Sequence, residues 1–155
     1  MRSIKTFFTT LLILLSSGVF SNAWSKDCPE LAEAAGNGKI EKVNKLIDDG
    51  CDVESFHKSG LTALMYGVLI GHTPIIKLLI ANGADVNARP TNGETVLMRS
   101  ARTAQSVRTD LVKLLIGHGA DVNAKTKDGE TALSIAKEKG HDEIIKLLKD
   151  AGAKE

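Results

Sequence analysis

Beyond about residue 27 the apolar positions fall into short clusters, separated by polar breaks that carry glycine. Three clusters are nearly one word: IIKLLI at 75–80, LVKLLI at 111–116 and IIKLLK at 144–149. Ahead of each stands a second phrase, GLTAL at 60–64, GETVL at 93–97 and GETAL at 129–133. Behind the first two stands GADVNA, at 83–88 and 119–124, with weaker echoes in GCDVES at 50–55 and GA at 152–153. The steps between these phrases are 33, 36 and 33 residues. Each unit therefore reads as turn, short helix, turn, longer helix, loop. In the GxT(A/V)L phrase the glycine supplies a tight turn, and Thr62, Thr95 or Thr131 caps the first helix. The second helix has its clearest start at Thr73-Pro74, read as a cap followed by proline in the first turn. It stops at Gly83, Gly119 or Gly152.

A period near 33 with these linked phrases resembles the ankyrin repeat, with small departures. Ala or Val stands for the family's Pro, and Met65, Met98 and Ser134 stand where His is frequent. The resemblance runs from about Asp27 to Lys154 and implies an all-α solenoid of four helix-turn-helix repeats joined by short β-hairpin connections. The repeats fall at about 27–54, 55–88, 89–124 and 125–155. Lys42 and Lys45 in the first unit occupy columns that are apolar in later ones; Lys149 and Lys137 do so in the last. Terminal repeats have one side with no neighbour to bury it. The expectation is two capping repeats around two inner ones.

The first 23 residues read differently. Arg2 and Lys5 precede an apolar stretch from Phe7 to Phe20, and Ser21-Asn22-Ala23 places small residues at −3 and −1 of a cut. That is the layout of a secretory signal peptide. Its apolar core is shorter than the roughly 20 residues a spanning helix needs. The expected division is 1–23 signal peptide and 24–155 ankyrin domain, exported to a bacterial periplasm or secreted, with no membrane attachment after cleavage. Cys28 begins the first helix and Cys51 follows the second, so an antiparallel pair brings them together. Export places them in an oxidising compartment, and a disulfide is expected.

The formal net charge is +1, with 25 % charged and 43 % hydrophobic residues. That balance gives no footprint for nucleic acid. His72 and His141 sit in Gly-His turns, and no His or Cys pair has metal-ligand spacing. No nucleophile elbow or phosphate loop is present, and the repeats leave no segment for a polar pocket. Neither catalytic residues, a metal nor a cofactor is therefore assigned. The function implied is a non-enzymatic scaffold, a monomer binding a protein partner through its concave groove. A narrower alternative is a periplasmic inhibitor, or an immunity or protective factor for a specific enzyme.

The candidate contact residues follow from columns that the resemblance places in the groove. Tyr66, Leu69 and Ile70 form an apolar run beside a basic rim of Arg99, Arg102 and Arg108. The hairpin tips add Lys58, Thr91, Asn92, Lys127 and Asp128. The three extra residues of the 36-residue step lie within RTAQSVRTD at 102–110, which includes Gln105; they lengthen the first helix or the loop after it. The partner is expected to offer an apolar anchor near Tyr66 and acidic groups to the arginines, with Tyr66 and Arg99 contributing little to stability. The signal-peptide layout predicts a mature chain beginning at Trp24. Mass measurement of the protein recovered from cells checks it, and an intact Met1 in a membrane pellet overturns it.

Overall fold

A computed structural model describes residues 27–90, 92–103 and 106–154, with the side chains of 106–108 outside that description. The segment 1–23, expected to be a signal peptide, and the expected Trp24 terminus also lie outside it. Eight helices are found among the described residues: α1 (Pro29–Gly36), α2 (Ile40–Asp48), α3 (Ala63–Ile70), α4 (Thr73–Ala81), α5 (Val96–Arg102), α6 (Ser106–Gly117), α7 (Ala132–Lys139) and α8 (Asp142–Asp150). They pair antiparallel as α1/α2, α3/α4, α5/α6 and α7/α8, and the pairs stack in chain order. No strand occurs among the described residues. The hairpins are tight turns closed by one or two backbone bonds, as where His57 N–H donates to the Leu61 carbonyl at 2.9 Å.

Local chemistry explains the first helices. Thr62 and Thr95 accept from the amides of Met65 and Met98 at 3.4 Å, and Thr131 with Ser134 forms a reciprocal capping box. Gly60, with φ at +77°, makes the turn ahead of the first of these caps. The inner faces then bury wholly: Leu64, Met65 and Val68 on α3, and Leu97, Met98 and Ala101 on α5, are 0 % exposed. Each fully buried side chain of this size contributes about 1.5–3 kcal/mol by leaving water.

Second helices start without help. His72, Lys39 and His141 stand at their N-caps and none makes a side-chain capping bond. Thr73 lies within α4 rather than capping it, and Pro74 follows in the same first turn, which needs no amide donor there. At the other end, Gly83 and Ala84 donate to the Ile80 and Leu79 carbonyls at 3.0 Å, closing a Schellman motif that recurs at Gly50, Gly119 and Gly152.

GADVNA now acquires a reason at four of its six positions. Its Gly adopts the left-handed turn, φ +89° at Gly83, and the following Ala84 is buried. The Asp side chain accepts from the amide two residues on, as Asp85 does from Asn87 at 2.8 Å and Asp121 from Asn123 at 2.9 Å. The Asn then reaches the next repeat with both ends of its amide. Asn87 donates to the Gly119 carbonyl at 2.9 Å and accepts from the Asp121 amide at 2.7 Å. Asn123 does the same to Gly152 and Lys154, at 3.2 and 2.7 Å. The phrase recurs because it is the clamp between neighbours.

The end columns behave as expected: Lys42 and Lys45 are exposed, as are Lys137 and Lys149, while Val68 and Ala101 are buried. Cys28 caps α1, Cys51 closes α2, and a disulfide joins them with Cα atoms 5.6 Å apart. Ser55 Oγ accepts from the Cys28 amide at 2.9 Å, tying the base of the next hairpin to the same point.

The extra residues enter elsewhere than expected. α5 has 7 residues, shorter than α3 and α7 with 8, whereas α6 has 12 against 9 in its counterparts. The insertion is thus nearly one added turn at the start of the second helix, not a longer first helix or loop. An open cleft of ≈ 590 Å³ lies between α4 and α6, with Thr73, Lys77, Lys113 and Leu114 on its walls.

Replacing Asn87 by Ala removes both of its bonds to the third repeat. The expected loss is about 1–3 kcal/mol of unfolding free energy, read by urea denaturation; an unchanged midpoint would reject the clamp.

Candidate functional site

The groove-facing columns separate into a braced half and an open half. Tyr66 belongs to the first. Its ring lies against Gly36 of the preceding repeat, where an added Cβ would stand 3.0 Å from Cδ1. Its hydroxyl is 3.1 Å from both His57 Nδ1 and Ser59 Oγ, and its ring meets His57 edge-on at 5.4 Å between centroids. His57 Nε2 faces Glu33 Oε1 at 3.5 Å.

Glu33, His57 and Ser59 thus stand in the order of a carboxylate–imidazole–hydroxyl relay, with Ser59 Oγ 3.0 Å from Nδ1. An acyl-transfer site also needs donors where an oxyanion would develop. The amides of Ser59 and Gly60 are already engaged, donating to His57 Nδ1 and to the His57 carbonyl. The relay holds the tyrosine.

Leu69 and Ile70 form the open half, 40 % and 53 % exposed at the end of α3. Phe56 is also exposed, at the hairpin base. Leu69 lines a hollow of ≈ 240 Å³ with Asn92, Arg102, Thr126, Asp128 and Glu130, so repeats two, three and four meet there.

The arginines on that hollow are not a free basic rim. Arg99 contacts Glu94 at 2.8 Å, while Arg102 reaches Glu94 at 3.1 Å and Glu130 at 3.4 Å. Burial works against the Arg102 charge, but its bond to Glu94 and the attraction of Glu94 and Glu130 hold the guanidinium above its ordinary value. Glu94 itself is buried, so Arg99 and Arg102 together balance its charge. Two arginines meet two glutamates, and Asp128 adds a third carboxylate at the rim. The sum is slightly acidic.

Of the remaining candidates, Lys58, Asn92, Lys127 and Asp128 are exposed on the hairpin tips. Asn92 also accepts from the Glu94 amide at 3.1 Å, shaping its own tip. Thr91 and Gln105 lie outside the described residues, as does the side chain of Arg108 within α6. Column reasoning missed Glu94 and Glu130. Their signal is the GET of two hairpins where repeat two has GLT, with arginine five and eight residues after Glu94.

This stacking of capped helix pairs, clamped through a recurring asparagine, defines a repeat scaffold. The chain belongs to the ankyrin-repeat family: the model for ankyrin repeats (3 copies) matches residues 31–126 and 103–155. It is 34 % identical over 73 residues to ankyrin repeat-containing protein P1E11.10 of Schizosaccharomyces pombe, covering 47 % of this chain and 35 % of that protein. Over 63 residues it is 38 % identical to the mitochondrial disaggregase of Bos taurus, covering 41 % of this chain and 9 % of that one. Human ankyrin repeat domain-containing protein 40 is 34 % identical over 73 residues, covering 46 % and 20 %. The matched region spans about a third or less of each of these relatives.

Arg99→Ala leaves buried Glu94 with Arg102 alone. A loss of about 2 kcal/mol in unfolding free energy is expected, measured by chemical denaturation beside Arg99→Lys. A loss under about 0.5 kcal/mol would show the pair to be an incidental surface contact.

Proposed function

We propose that this chain is an exported, non-enzymatic scaffold that binds one protein partner through its groove, with Leu69 and Ile70 as the contact centre. The observation that carries this reading is the exposed Leu69 at the edge of a pre-formed polar hollow, followed in the chain by the exposed Ile70. Exposed apolar area rimmed by polar groups is the usual mark of a contact surface. The partner that fits offers an apolar anchor to Leu69 and Ile70, followed by a basic side chain for Asp128 on the rim of the hollow. This differs from an acidic partner meeting the arginines, because both guanidiniums are already occupied.

Export is supported by the basic start, apolar core and small-residue site of the first 23 residues, and by the disulfide between Cys28 and Cys51. Among the described residues no helix is long and apolar enough to cross a membrane. A narrower reading, inhibition or protection of a specific envelope enzyme, draws on the rigidity of the groove. Tyr66 and Arg99 are fixed before any partner arrives, so less conformational freedom is lost on binding.

The test is affinity capture from an envelope extract with wild type and with Leu69→Ala and Ile70→Ala in parallel. Both residues are substantially exposed, so each variant should unfold within about 1 kcal/mol of wild type. Binding of the captured protein should weaken by about 1–3 kcal/mol. Equal binding by all three proteins would move the contact surface away from the end of α3.

A further inference from the structure

Three junctions join the four repeats, and the first is built differently. At the second and third, a neutral amide both donates and accepts, through Asn87 and Asn123. The equivalent residue at the first junction is Glu54, in GCDVES. It accepts from the Asp85 amide at 2.9 Å, the bond that Asn87 makes to Asp121 and Asn123 to Lys154. An ionised carboxylate has no proton for the other half of the clamp. By the symmetry of the repeats the acceptor for that half is the carbonyl of Gly83, as Gly119 and Gly152 serve the later junctions.

We propose that the first junction is a proton-operated latch, in which Glu54 holds repeat two by one hydrogen bond when ionised and by two when its carboxyl is protonated. The step adds one proton from solvent to the free carboxylate oxygen, and that O–H then donates to the Gly83 carbonyl. No covalent bond breaks.

The surroundings favour the protonated form. Two carboxylates face Glu54, Asp52 from its own loop and Asp85 from the loop of repeat two. Burial lifts the Glu54 carboxyl above its usual range; the Asp85 amide opposes that lift, and the charges of Asp85 and Asp52 add to it. A carboxyl raised in the folded state costs no stability while it is protonated both folded and unfolded. The cost grows as pH climbs from the unfolded value to the folded one and is complete above it. Acidification from neutrality therefore removes a penalty at the first junction, while the amide clamps at the other two do not titrate. The repeat that carries the latch is the one already closed by the Cys28–Cys51 bridge. The latch acts on the array whatever the groove binds.

Two measurements on the full chain test it. Thermal unfolding of wild type, Glu54→Gln and Glu54→Asn is followed from about pH 8 down to about pH 4. At neutral pH both amide variants should melt above wild type, and the gap should close as pH falls through the carboxylate range. A gap that is absent at neutral pH, or constant with pH, overturns the latch. Within wild type alone, hydrogen-exchange protection of the Asp85 amide is compared with that of the Asp121 amide, its counterpart at the second junction. The ratio should rise about fivefold on acidification, the factor that one net hydrogen bond supplies. A ratio that stays level would overturn the proposal even if a variant failed to fold.

Discussion

Everything here depends on the burial of one helix pair against the next. A single pair of helices of 8 and 9 residues cannot be stable in isolation, since helices under about 12–15 residues are marginal in water. The side chains that are 0 % exposed on α3 and α5 have their surfaces covered by α1, α5 and α7 as much as by their own partners. Stability is then a nearest-neighbour sum, and whatever sets the distance and register between repeats sets the whole. The Asn87 and Asn123 amides do that, because a two-ended amide bond fixes both position and orientation.

The same dependence explains where variation is tolerated. The added turn of α6 grows from the end of the second helix opposite to the clamp, so Gly119 and Asp121 keep their bonds to Asn87. The α4–α6 cleft opens without disturbing the packing of α5 on α7. Charge is likewise kept away from the stacking surfaces: Lys42, Lys45 and Lys149 face out at the ends, and Glu94 enters the interior only with Arg99 and Arg102 beside it.

Most of the fold was legible because the repeats annotate one another. Thr62, Thr95 and Thr131 could be read as caps, and Cys28 and Cys51 as neighbours, from column position alone. The insertion was misplaced for a physical reason: the second helices have no side-chain cap at His72, Lys39 or His141, so no residue marks where such a helix begins. The candidate site was legible in part. Leu69 and Ile70 are exposed, whereas Tyr66 and Arg99 are braced by partners outside their own helices. Nothing in a column of a repeat reveals a contact such as Arg102 to Glu130, 28 residues away. The asparagine was visible as a recurrence, yet its bonds run to the next repeat and had no signature within its own.

The neutral pairing of Arg99 and Arg102 with Glu94 and Glu130 bears on the kinetics of encounter. A surface with unbalanced charge draws a partner in from beyond a Debye length of about 8–10 Å and speeds association by orders of magnitude. With one carboxylate in excess, the groove exerts only a weak acidic field. The approach of the proposed partner is then mainly ordinary diffusion and orientation, at about 10⁵–10⁶ M⁻¹s⁻¹, with a weak dependence on ionic strength. For the partner proposed above, selectivity would therefore be written in residence time, in how slowly its segment leaves once its side chains have displaced water from Leu69 and Ile70.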